Sequence, residues 1–227
     1  MSWIPIESNP EVMNKFLSRL GVPEKWQIVD VLSLDPDMLG IIPRPTLALI
    51  LLYPTNDKYK QLKNEEEAKI KEKGQDVSPN IYFLKQVISN TCGTVALLHS
   101  VANNLDQIQL GDGFLKQFID DTKSLTPEER GDALAKNTSF INAHKEVATE
   151  GQSQLPTEEV IHHFVAFVHK DGALYELDGS GCSFPINRGP TSPEKFVEDA
   201  ARVLTDIMKK DPDEIGFTVC ALAAKHD

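Results

Sequence analysis

Apolar residues recur at helical spacing along most of the chain, with polar residues between them. Asn9 and Pro10 predict a helix start, because asparagine caps helices and proline fits the first helical turn. The apolar stripe that follows stops at Gly21, where the helix is expected to end. Similar patterns predict helices at residues 59–73, 92–103, 114–125 and 192–210, and a capping box of Thr126 and Glu129 begins another. The Glu/Lys run of the 59–73 helix is interpreted as a solvated face.

Short apolar runs predict the strands. Residues 46–53 are almost all apolar and too few for a buried helix, which favours a central strand buried on both faces. Asp171 and Gly172 form a two-residue hairpin signal between strands expected at 163–169 and 173–177. Further strands are predicted at 27–32 and 217–224. Because helices and strands mix without strict βαβ alternation, we expect an α/β fold of the α+β kind, with helices packed on an antiparallel sheet.

The segment from His144 to Glu159 has few apolar residues and many Glu, Gln, Ser, Thr and Gly. It is predicted to be a surface loop of about sixteen residues, a length that is usually functional or disordered. The chain shows no internal repeat and no low-complexity linker, and its glycines and prolines lie at element ends. We therefore expect residues 1–227 to form a single domain.

Composition narrows the functional classes. The chain has 227 residues, with 23 Lys and Arg against 34 Asp and Glu, and a formal net charge of −11. An acidic surface repels nucleic-acid phosphates, so a basic protein is the more compatible partner, although the charge also suits a role in solubility alone. The longest apolar run, 47–53, is far too short to span a bilayer, and the first residues lack the features of a signal peptide.

The chain has three cysteines, Cys92, Cys182 and Cys220. They are too few for a disulfide framework and form no CxxC pair, so we expect a reducing, intracellular compartment and no metal or other cofactor. Cys182 lies in a Gly/Ser turn and Cys220 in an apolar strand, and both are interpreted as structural.

Cys92 is the candidate nucleophile. It lies in the segment SNTCGT, just before the apolar stripe of a helix, where unpaired N–H groups and the helix dipole stabilise a thiolate. Gly93 leaves the sulfur open to approach, and the side-chain amide of Gln86 could donate to an oxyanion. The alternative is that Cys92 is a small buried hydrophobe, the usual fate of a free cysteine.

The predicted hairpin brings a histidine and a carboxylate together. With a two-residue loop at Asp171 and Gly172, Asp178 faces Val165, and His163 lies two residues from Val165 on the same strand. His163 and Asp178 therefore share a sheet face as diagonal neighbours, about 7–8 Å apart at the backbone. Such a pair fixes the tautomer of an imidazole and supports its protonated form. A one-residue slip in register would separate the two, and His163 would then be an ordinary structural histidine.

Together, these features resemble the ubiquitin C-terminal hydrolase family of cysteine deubiquitinases. The resemblance rests on Gln86, the SNTCGT segment at Cys92, HFVAFVH from His163, and LYELDG, which contains Asp178. It extends over essentially the whole chain, and the order and spacing of the motifs are specific where single motifs are not. Further matching segments are NPE from residue 9, PRP from 43, PEER from 127, FPIN from 184 and DPDE from 211. The chain is similar to the short, single-domain members.

The resemblance implies a papain-like fold, with a sheet between helices and a topologically knotted backbone that is an exception to the usual rule. It also implies that Cys92 is the nucleophile, that His163 is the general base and acid, and that Asp178 orients His163. Gln86 would form the oxyanion hole with the backbone N–H of Cys92. The implied reaction is hydrolysis of the bond after the terminal glycine of ubiquitin, through an acyl-thioester enzyme. The segment 144–159 matches the crossover loop of this family.

Ubiquitin is the implied partner, with the related modifier NEDD8 as a second candidate. Positions that match the family's ubiquitin contacts are Pro5, Ile6, Glu7, Ser8, Asn9, Pro10, Glu11, Asp30, Glu214, Ile215, Gly216, Phe217, Thr218 and Val219. Glu7 and Asp30 are expected to meet arginines of ubiquitin's basic tail, and Gly216 stands where relatives often have arginine. A crossover loop of about sixteen residues has an opening under about 20 Å, too small for a folded ubiquitin-sized domain. We therefore expect a preference for small or unfolded adducts.

Two other functions stay open on these grounds. The chain could be a ubiquitin-binding protein that stabilises ubiquitin and turns over slowly, or an unrelated cysteine amidase built on a Cys–His pair. The amidase leaves the whole-chain similarity unexplained. The expected form is a cytoplasmic monomer, with the nucleus as a second compartment, and neither a membrane nor a nucleic-acid partner is expected.

Overall fold

The computed structural model of the protein describes residues 3–111, 113–150 and 161–225. Its helices are α1 (Pro10–Leu20), α2 (Asp57–Lys73), α3 (Cys92–Ala102), α4 (Phe114–Thr122), α5 (Pro127–Lys136), α6 (Thr138–Ala148) and α7 (Phe196–Met208). A 3-10 helix spans Pro36–Ile41. Its strands are β1 (Trp26–Asp30), β2 (Thr46–Pro54), β3 (His162–Lys170), β4 (Ala173–Leu177), β5 (Ile186–Pro190) and β6 (Thr218–Ala224).

One antiparallel sheet organises these elements. Its strands have the order β1-β6-β2-β3-β4-β5, and each neighbouring pair is antiparallel. β2 lies inside the sheet and is buried along nearly its whole length, because its continuous run of aliphatic residues suits a strand that is covered on both faces. The prediction of a doubly buried strand at this place is confirmed.

Helices cover both faces of the sheet. Ala48 and Ile50 of β2 pack with α1 and α3 in one apolar cluster. Leu49 and Leu51 pack with α7 in a second cluster. Because successive residues of a strand point to opposite faces, the two clusters lie on opposite sides of the sheet. The predicted α/β class, with an antiparallel sheet flanked by helices on both sides, is therefore confirmed.

The hairpin between β3 and β4 has the predicted turn. Asp171 and Gly172 have positive φ angles of 47° and 81°. Two central residues with positive φ match the right-handed twist of the flanking strands. The ladder runs from Lys170 opposite Ala173 inward. The register on which the histidine–carboxylate prediction depends is therefore confirmed.

Local capping chemistry fixes two of the predicted helix starts. The side chain of Asn9 accepts a hydrogen bond of 2.9 Å from the backbone N–H of Glu11, and Gly21 ends α1 in the left-handed region with φ 88°. In α5, the backbone N–H of Glu129 donates to the hydroxyl of Thr126, and the N–H of Thr126 donates back to the carboxylate. Both predictions are confirmed.

The predicted loop from His144 to Glu159 begins later than expected. Its first residues belong to α6, a helix that the sequence analysis missed because polar residues interrupt its apolar stripe. His144 is buried, and its two ring nitrogens hydrogen-bond to the hydroxyl of Thr94 at 2.7 Å and the carbonyl of Ile4 at 2.5 Å. Residues 151–160 of the predicted loop lie outside the described residues.

Two further elements differ from expectation. α7 is shorter than the predicted 192–210 helix, because a turn closed by the N–H of Lys195 on the carbonyl of Ser192, at 3.0 Å, precedes it. β5 was not predicted, since its sequence INRGP has no alternating apolar pattern. It lies at the edge of the sheet, where one side of the strand has no neighbour among the described residues.

Candidate active site

Cys92 is the first residue of α3, as predicted. The whole helix is buried, so its start is fixed against the sheet on one face. Cys92 itself is 8% exposed. A Cβ added to Gly93 would lie 3.3 Å from the Cβ of Ile6 and 3.4 Å from the ring of Phe164, so glycine permits this close packing. The thiol therefore lies at a rigid helix N-terminus, where backbone N–H groups and the helix dipole favour negative charge.

His163 and Asp178 meet as the hairpin register requires. His163 lies near the start of β3 and Asp178 directly follows β4. The Nε2 atom of His163 and the Oδ1 atom of Asp178 are 2.7 Å apart. The backbone N–H groups of Gly181 and Ser180 donate to the same oxygen, at 2.7 and 3.2 Å. The loop after β4 thus holds the carboxylate in the orientation that receives the imidazole.

The imidazole joins the carboxylate to the thiol. Burial raises the pKa of Cys92, but a hydrogen bond to His163 and the charge of that ring outweigh it, so that the pKa of the thiol falls below its ordinary value. Because Nε2 is engaged by Asp178, the nitrogen that faces Cys92 is Nδ1. Three predicted residues are therefore in contiguous contact, in the order thiol, imidazole, carboxylate.

The charges of Cys92, His163 and Asp178 stabilise one another. Burial lowers the pKa of His163, yet the charge and hydrogen bond of Asp178 and the contact with Cys92 raise the pKa well above the ordinary value for histidine. Burial likewise raises the pKa of Asp178, and the charge of His163 outweighs it and holds that pKa well below the ordinary range. The arrangement favours a thiolate and an imidazolium with an ionised carboxylate behind them.

The other two cysteines have no such partner. Burial raises the pKa of both Cys182 and Cys220 to about 12. They are 2% and 1% exposed, respectively, so they stay neutral thiols that are shielded from reagents. Among the three cysteines, Cys92 is thus the one with the environment of a nucleophile.

Gln86 lies in the same cleft as the thiol. It lines this cleft, a cavity of about 490 Å³, together with Cys92 and His163. Its backbone N–H donates to the carbonyl of Gly179 at 2.9 Å, which fixes it against the loop that follows β4. Its side-chain Nε2 donates to the carbonyl of Ile88 at 3.1 Å. An amide nitrogen has two hydrogens, and among the described residues one of them has an acceptor, so the second can still donate.

Two side chains around His163 were missed by the sequence analysis. The hydroxyl of Ser180 lies 3.2 Å from Nε2 of His163, and the ring of Tyr53 meets the imidazole edge-on with centroids 5.8 Å apart. Tyr53 lies directly opposite His163 in the β2–β3 register. A prediction of the β2–β3 register from the sequence would therefore have identified Tyr53 as a neighbour of His163. Both side chains line the cleft.

α2 supplies a third missed group. The prediction that its Glu/Lys run is a solvated face is wrong for one stripe, because the side chain of Lys63 is 14% exposed and is ion-paired with Glu176 and Asp178. Lys63 Nζ lies 3.6 Å from Asp178 Oδ2. No apolar pattern in the sequence marks this side chain, since charged residues share the inward face of α2 with Tyr59 and Leu62.

The structure places the predicted ubiquitin-contact residues in three segments. The first, Pro5, Ile6, Glu7, Ser8, Asn9, Pro10 and Glu11, leads into and begins α1. The second is Asp30, at the end of β1, and the third, Glu214, Ile215, Gly216, Phe217, Thr218 and Val219, leads into β6. β1 and β6 are neighbours, and Val31 N–H donates to the carbonyl of Val219 at 2.9 Å, so the second and third segments lie together. Ile6 and Val219 are buried, whereas Ile215 is 91% exposed.

The described residues contain neither a metal-ion cluster nor a membrane-spanning helix. Within them, no three His, Cys, Asp or Glu side chains are grouped so that they could hold a metal ion. Across the same part of the chain, no helix combines the length and apolarity that a membrane crossing needs.

Comparison with known proteins identifies the family that shares these features. The profile of the family described as "Ubiquitin carboxyl-terminal hydrolase, family 1" matches residues 3–209. A Drosophila melanogaster ubiquitin carboxyl-terminal hydrolase is 48% identical over 225 residues, covering 99% of this chain and 98% of the relative. The human ubiquitin carboxyl-terminal hydrolase isozyme L1 is 43% identical, covering 96% of each chain. Among solved structures, the Trichinella spiralis UCH37 catalytic domain bound to ubiquitin vinyl methyl ester superimposes with a TM-score of 0.77 at 25% identity, covering 99% of this chain and 97% of that chain.

Proposed function

Since this chain belongs to the ubiquitin carboxyl-terminal hydrolase family of cysteine peptidases, we propose that it hydrolyses bonds to the C-terminal glycine of ubiquitin with Cys92 as nucleophile. The observation that supports this assignment most directly is the contact line from Cys92 through His163 to Asp178. A thiolate beside an imidazolium is the reactive form of a cysteine hydrolase.

The first half of the reaction is acylation. The Cys92 thiolate attacks the carbonyl carbon of the ubiquitin glycine, and the carbonyl oxygen becomes an oxyanion. The second side-chain N–H of Gln86 and the backbone N–H of Cys92 are the donors proposed to stabilise it. The imidazolium of His163 then gives its proton to the leaving group, the bond to that group breaks, and an acyl-thioester remains on the sulfur.

The second half is hydrolysis of the thioester. His163, now neutral, takes a proton from a water molecule, whose oxygen attacks the thioester carbonyl. The thiolate leaves, the imidazolium is restored, and ubiquitin is released with a free carboxylate. Asp178 supports both halves, because its hydrogen bond to Nε2 holds the ring in the tautomer and orientation that serve the sulfur.

Ubiquitin is proposed as the partner on two grounds. A structural neighbour of this chain, the UCH37 catalytic domain, is bound to ubiquitin vinyl methyl ester. The chain also has a formal net charge of −11, which suits a partner with a basic tail. Glu7 and Asp30 are proposed to meet the arginines of that tail. Such exposed pairs raise the association rate, so ubiquitin binding is expected to weaken as salt increases.

Small or unfolded adducts are the proposed substrates. α6 ends at Ala148 and β3 begins at His162, so the connection between them has thirteen residues, 149 to 161. Its contour is at most about 47 Å, and a ring of that circumference is about 15 Å across. An α-helix about 10–12 Å wide passes such an opening, whereas a folded domain of ubiquitin's size, about 25 Å across, does not. Equal cleavage rates for folded diubiquitin and a ubiquitin-linked peptide would contradict this proposal.

The test is release of a fluorescent amide from the C-terminus of ubiquitin. Wild type should turn over rapidly, and Cys92→Ser should lose turnover while keeping ubiquitin binding. Cys220→Ala, which removes a buried thiol of raised pKa, is the matched control and should keep turnover. Tight binding with negligible turnover in wild type would instead favour a ubiquitin-stabilising protein. NEDD8 with the same fluorescent group tests the second modifier.

A further inference from the structure

The inward face of α2 is charged. Most helices that pack on a sheet turn an apolar stripe towards it. In α2, Tyr59 is the buried residue, and the positions that follow on that face, one helical turn apart, are Lys63, Glu66 and Glu67. Their side chains are 14%, 24% and 17% exposed. Beside the apolar contacts of Tyr59 and Leu62, the helix is therefore joined to the sheet by ionic contacts at the cleft.

These contacts form an alternating network. Glu176 of β4 is 1% exposed and forms ion pairs with both Lys63 and Arg188. Arg188 of β5 donates to Glu176 at 2.5 Å and to Glu66 of α2 at 2.5 and 2.8 Å. Each buried charge has an opposite charge beside it, which is the condition under which buried ions are tolerated.

Lys63 also connects this network to the proposed catalytic carboxylate. Oδ1 of Asp178 is occupied by His163 and by backbone N–H groups, whereas Oδ2 accepts no hydrogen bond among the described residues. The ammonium of Lys63 lies 3.6 Å from that oxygen. Glu176 and Asp178 are two residues apart at the end of β4, so their side chains point to the same side. Lys63 contacts both and is placed between two buried negative charges.

Without a cation at this place, the two carboxylates would repel each other, and the one with the weaker partners would take up a proton. Glu176 would retain Arg188. Asp178 would retain His163, which is itself titratable. Lys63 pairs more closely with Glu176, but without it Asp178 would keep His163 as its one charged partner among the described residues and would face the less compensated charge of Glu176 two residues away.

We propose that Lys63 is a positioning residue of the site, which keeps Asp178 ionised and aimed at His163 and so extends activity to lower pH. The inference rests on the proposed function, because it concerns the same His163 and Cys92. Lys63 acts through Asp178 and is not placed on the reacting atoms. Raised pKa values for Lys63 and lowered ones for Glu176 and Asp178, each against the effect of burial, agree with the geometry.

The sign of the pH effect follows from the groups that face Asp178. They are Lys63 of α2, His163 of β3, Tyr53 of β2, His99 of α3 and Cys182 in the loop after β4, with Glu176 two residues away and held by Arg188 and Lys63. Removing the cation leaves this environment more negative. That change makes Asp178 easier to protonate and the Cys92 thiol harder to ionise. Both effects move the acid limb of the activity profile, which is the rise in kcat/KM at low pH, to higher pH.

The experiment compares Lys63→Met, Lys63→Arg and Lys60→Met over pH 5 to 9. Lys60 lines the same cleft but is 63% exposed, so its removal takes away one positive charge that water already screens. In Lys63→Met, the acid limb of kcat/KM should move up by about one pH unit, with about a 10-fold greater loss at pH 6 than at pH 8. Lys63→Arg should restore the wild-type limb, and Lys60→Met should not move it.

A second readout does not depend on ubiquitin. The rate of iodoacetamide alkylation, after subtraction of a Cys92→Ser blank, reports the thiolate fraction of Cys92. Its pH dependence should shift in Lys63→Met as the kinetic limb does, even if the natural substrate differs from the proposed one. Should Lys63→Met fail to fold, Lys63→Gln has the same expectation, because its amide still donates to Glu176. The proposal would be overturned if the acid limb of Lys63→Met coincided with that of wild type. It would also be overturned if Lys60→Met shifted the acid limb as far as Lys63→Met does.

Discussion

Gly181 offers a direct way to displace the proposed catalytic carboxylate. Its backbone N–H donates to Oδ1 of Asp178 at 2.7 Å. A Cβ built on Gly181 would collide with Oδ2 of the same side chain and lie 2.8 Å from its Cγ. The two residues are close because the loop folds back over the carboxylate after β4. Gly181→Ala therefore forces the carboxylate to move, while the backbone φ of Gly181 places no restriction on alanine.

The magnitude follows from the size of the collision. Oδ2 has to move by about 1 Å to reach normal contact distance, and a displacement of that size at a catalytic group costs about 100-fold in rate. The bond of 2.7 Å between His163 and Asp178 is lengthened or lost. We expect kcat to fall about 100-fold, which corresponds to about 3 kcal/mol of transition-state stabilisation. KM should change little, because Asp178 is 1% exposed and does not present a surface to ubiquitin.

The assay is steady-state hydrolysis of the fluorescent ubiquitin amide, with thermal unfolding measured on the same preparations. Gly40→Ala is the matched control, since a Cβ at Gly40 has no atom within 4 Å. It should keep the wild-type kcat. If Gly181→Ala kept kcat within threefold of wild type, the carboxylate would accommodate the methyl group without leaving His163, and the inferred role of its position would be wrong.

Three further predictions concern stability and pH. Arg130 donates to the carbonyls of Phe83, Thr122 and Lys123, so Arg130→Ala should lower the free energy of unfolding in urea by about 3 kcal/mol. Arg19→Ala, which breaks an exposed pair with Glu146, should change it by less than about 1 kcal/mol. Leu204→Ala in α7 opens a cavity at a fully buried position and should cost about 3 kcal/mol in the same assay, whereas Leu32→Ala, at 90% exposed, should be near neutral. The pH profile of kcat/KM should rise through the lowered pKa of Cys92 and fall through the raised pKa of His163; a fall near pH 6.5 would contradict the assigned ion pair.

The sequence was most informative where short-range chemistry decides the structure. Asp171 and Gly172 specify a turn, the turn specifies the register, and strand alternation then places His163 and Asp178 on one face. Each step involves neighbours within a few residues. Cys92 is different, because no local pattern relates a helix start to a strand that begins far along the chain. Its place beside His163 could be expected from family resemblance alone.

The sequence was least informative where polar side chains are buried. His144 lies in a core contact with Thr94 and Ile4, and Lys63 lines the cleft with its side chain 14% exposed. Hydrophobic patterning assigns such residues to the surface, which is why α6 was taken for part of a loop and α2 for a solvated helix. Their burial depends on partners from distant elements, and those partners are known once the fold is known. Gly181 and Ser180 were overlooked for a similar reason, since glycine and serine also suit an ordinary turn.

Three of the histidines in the described part of the chain are buried, and they show what distinguishes the site. Burial lowers the pKa of His99 and of His144 to about 4, where backbone and hydroxyl groups are the hydrogen-bond partners. His163 is equally buried, yet its pKa is raised, because Asp178 contacts its ring. Burial alone therefore makes a neutral structural histidine, and a carboxylate makes an imidazolium. That carboxylate is useful in turn because N–H groups on one oxygen and Lys63 near the other keep it ionised, so the reactivity of Cys92 depends on charges that begin in α2.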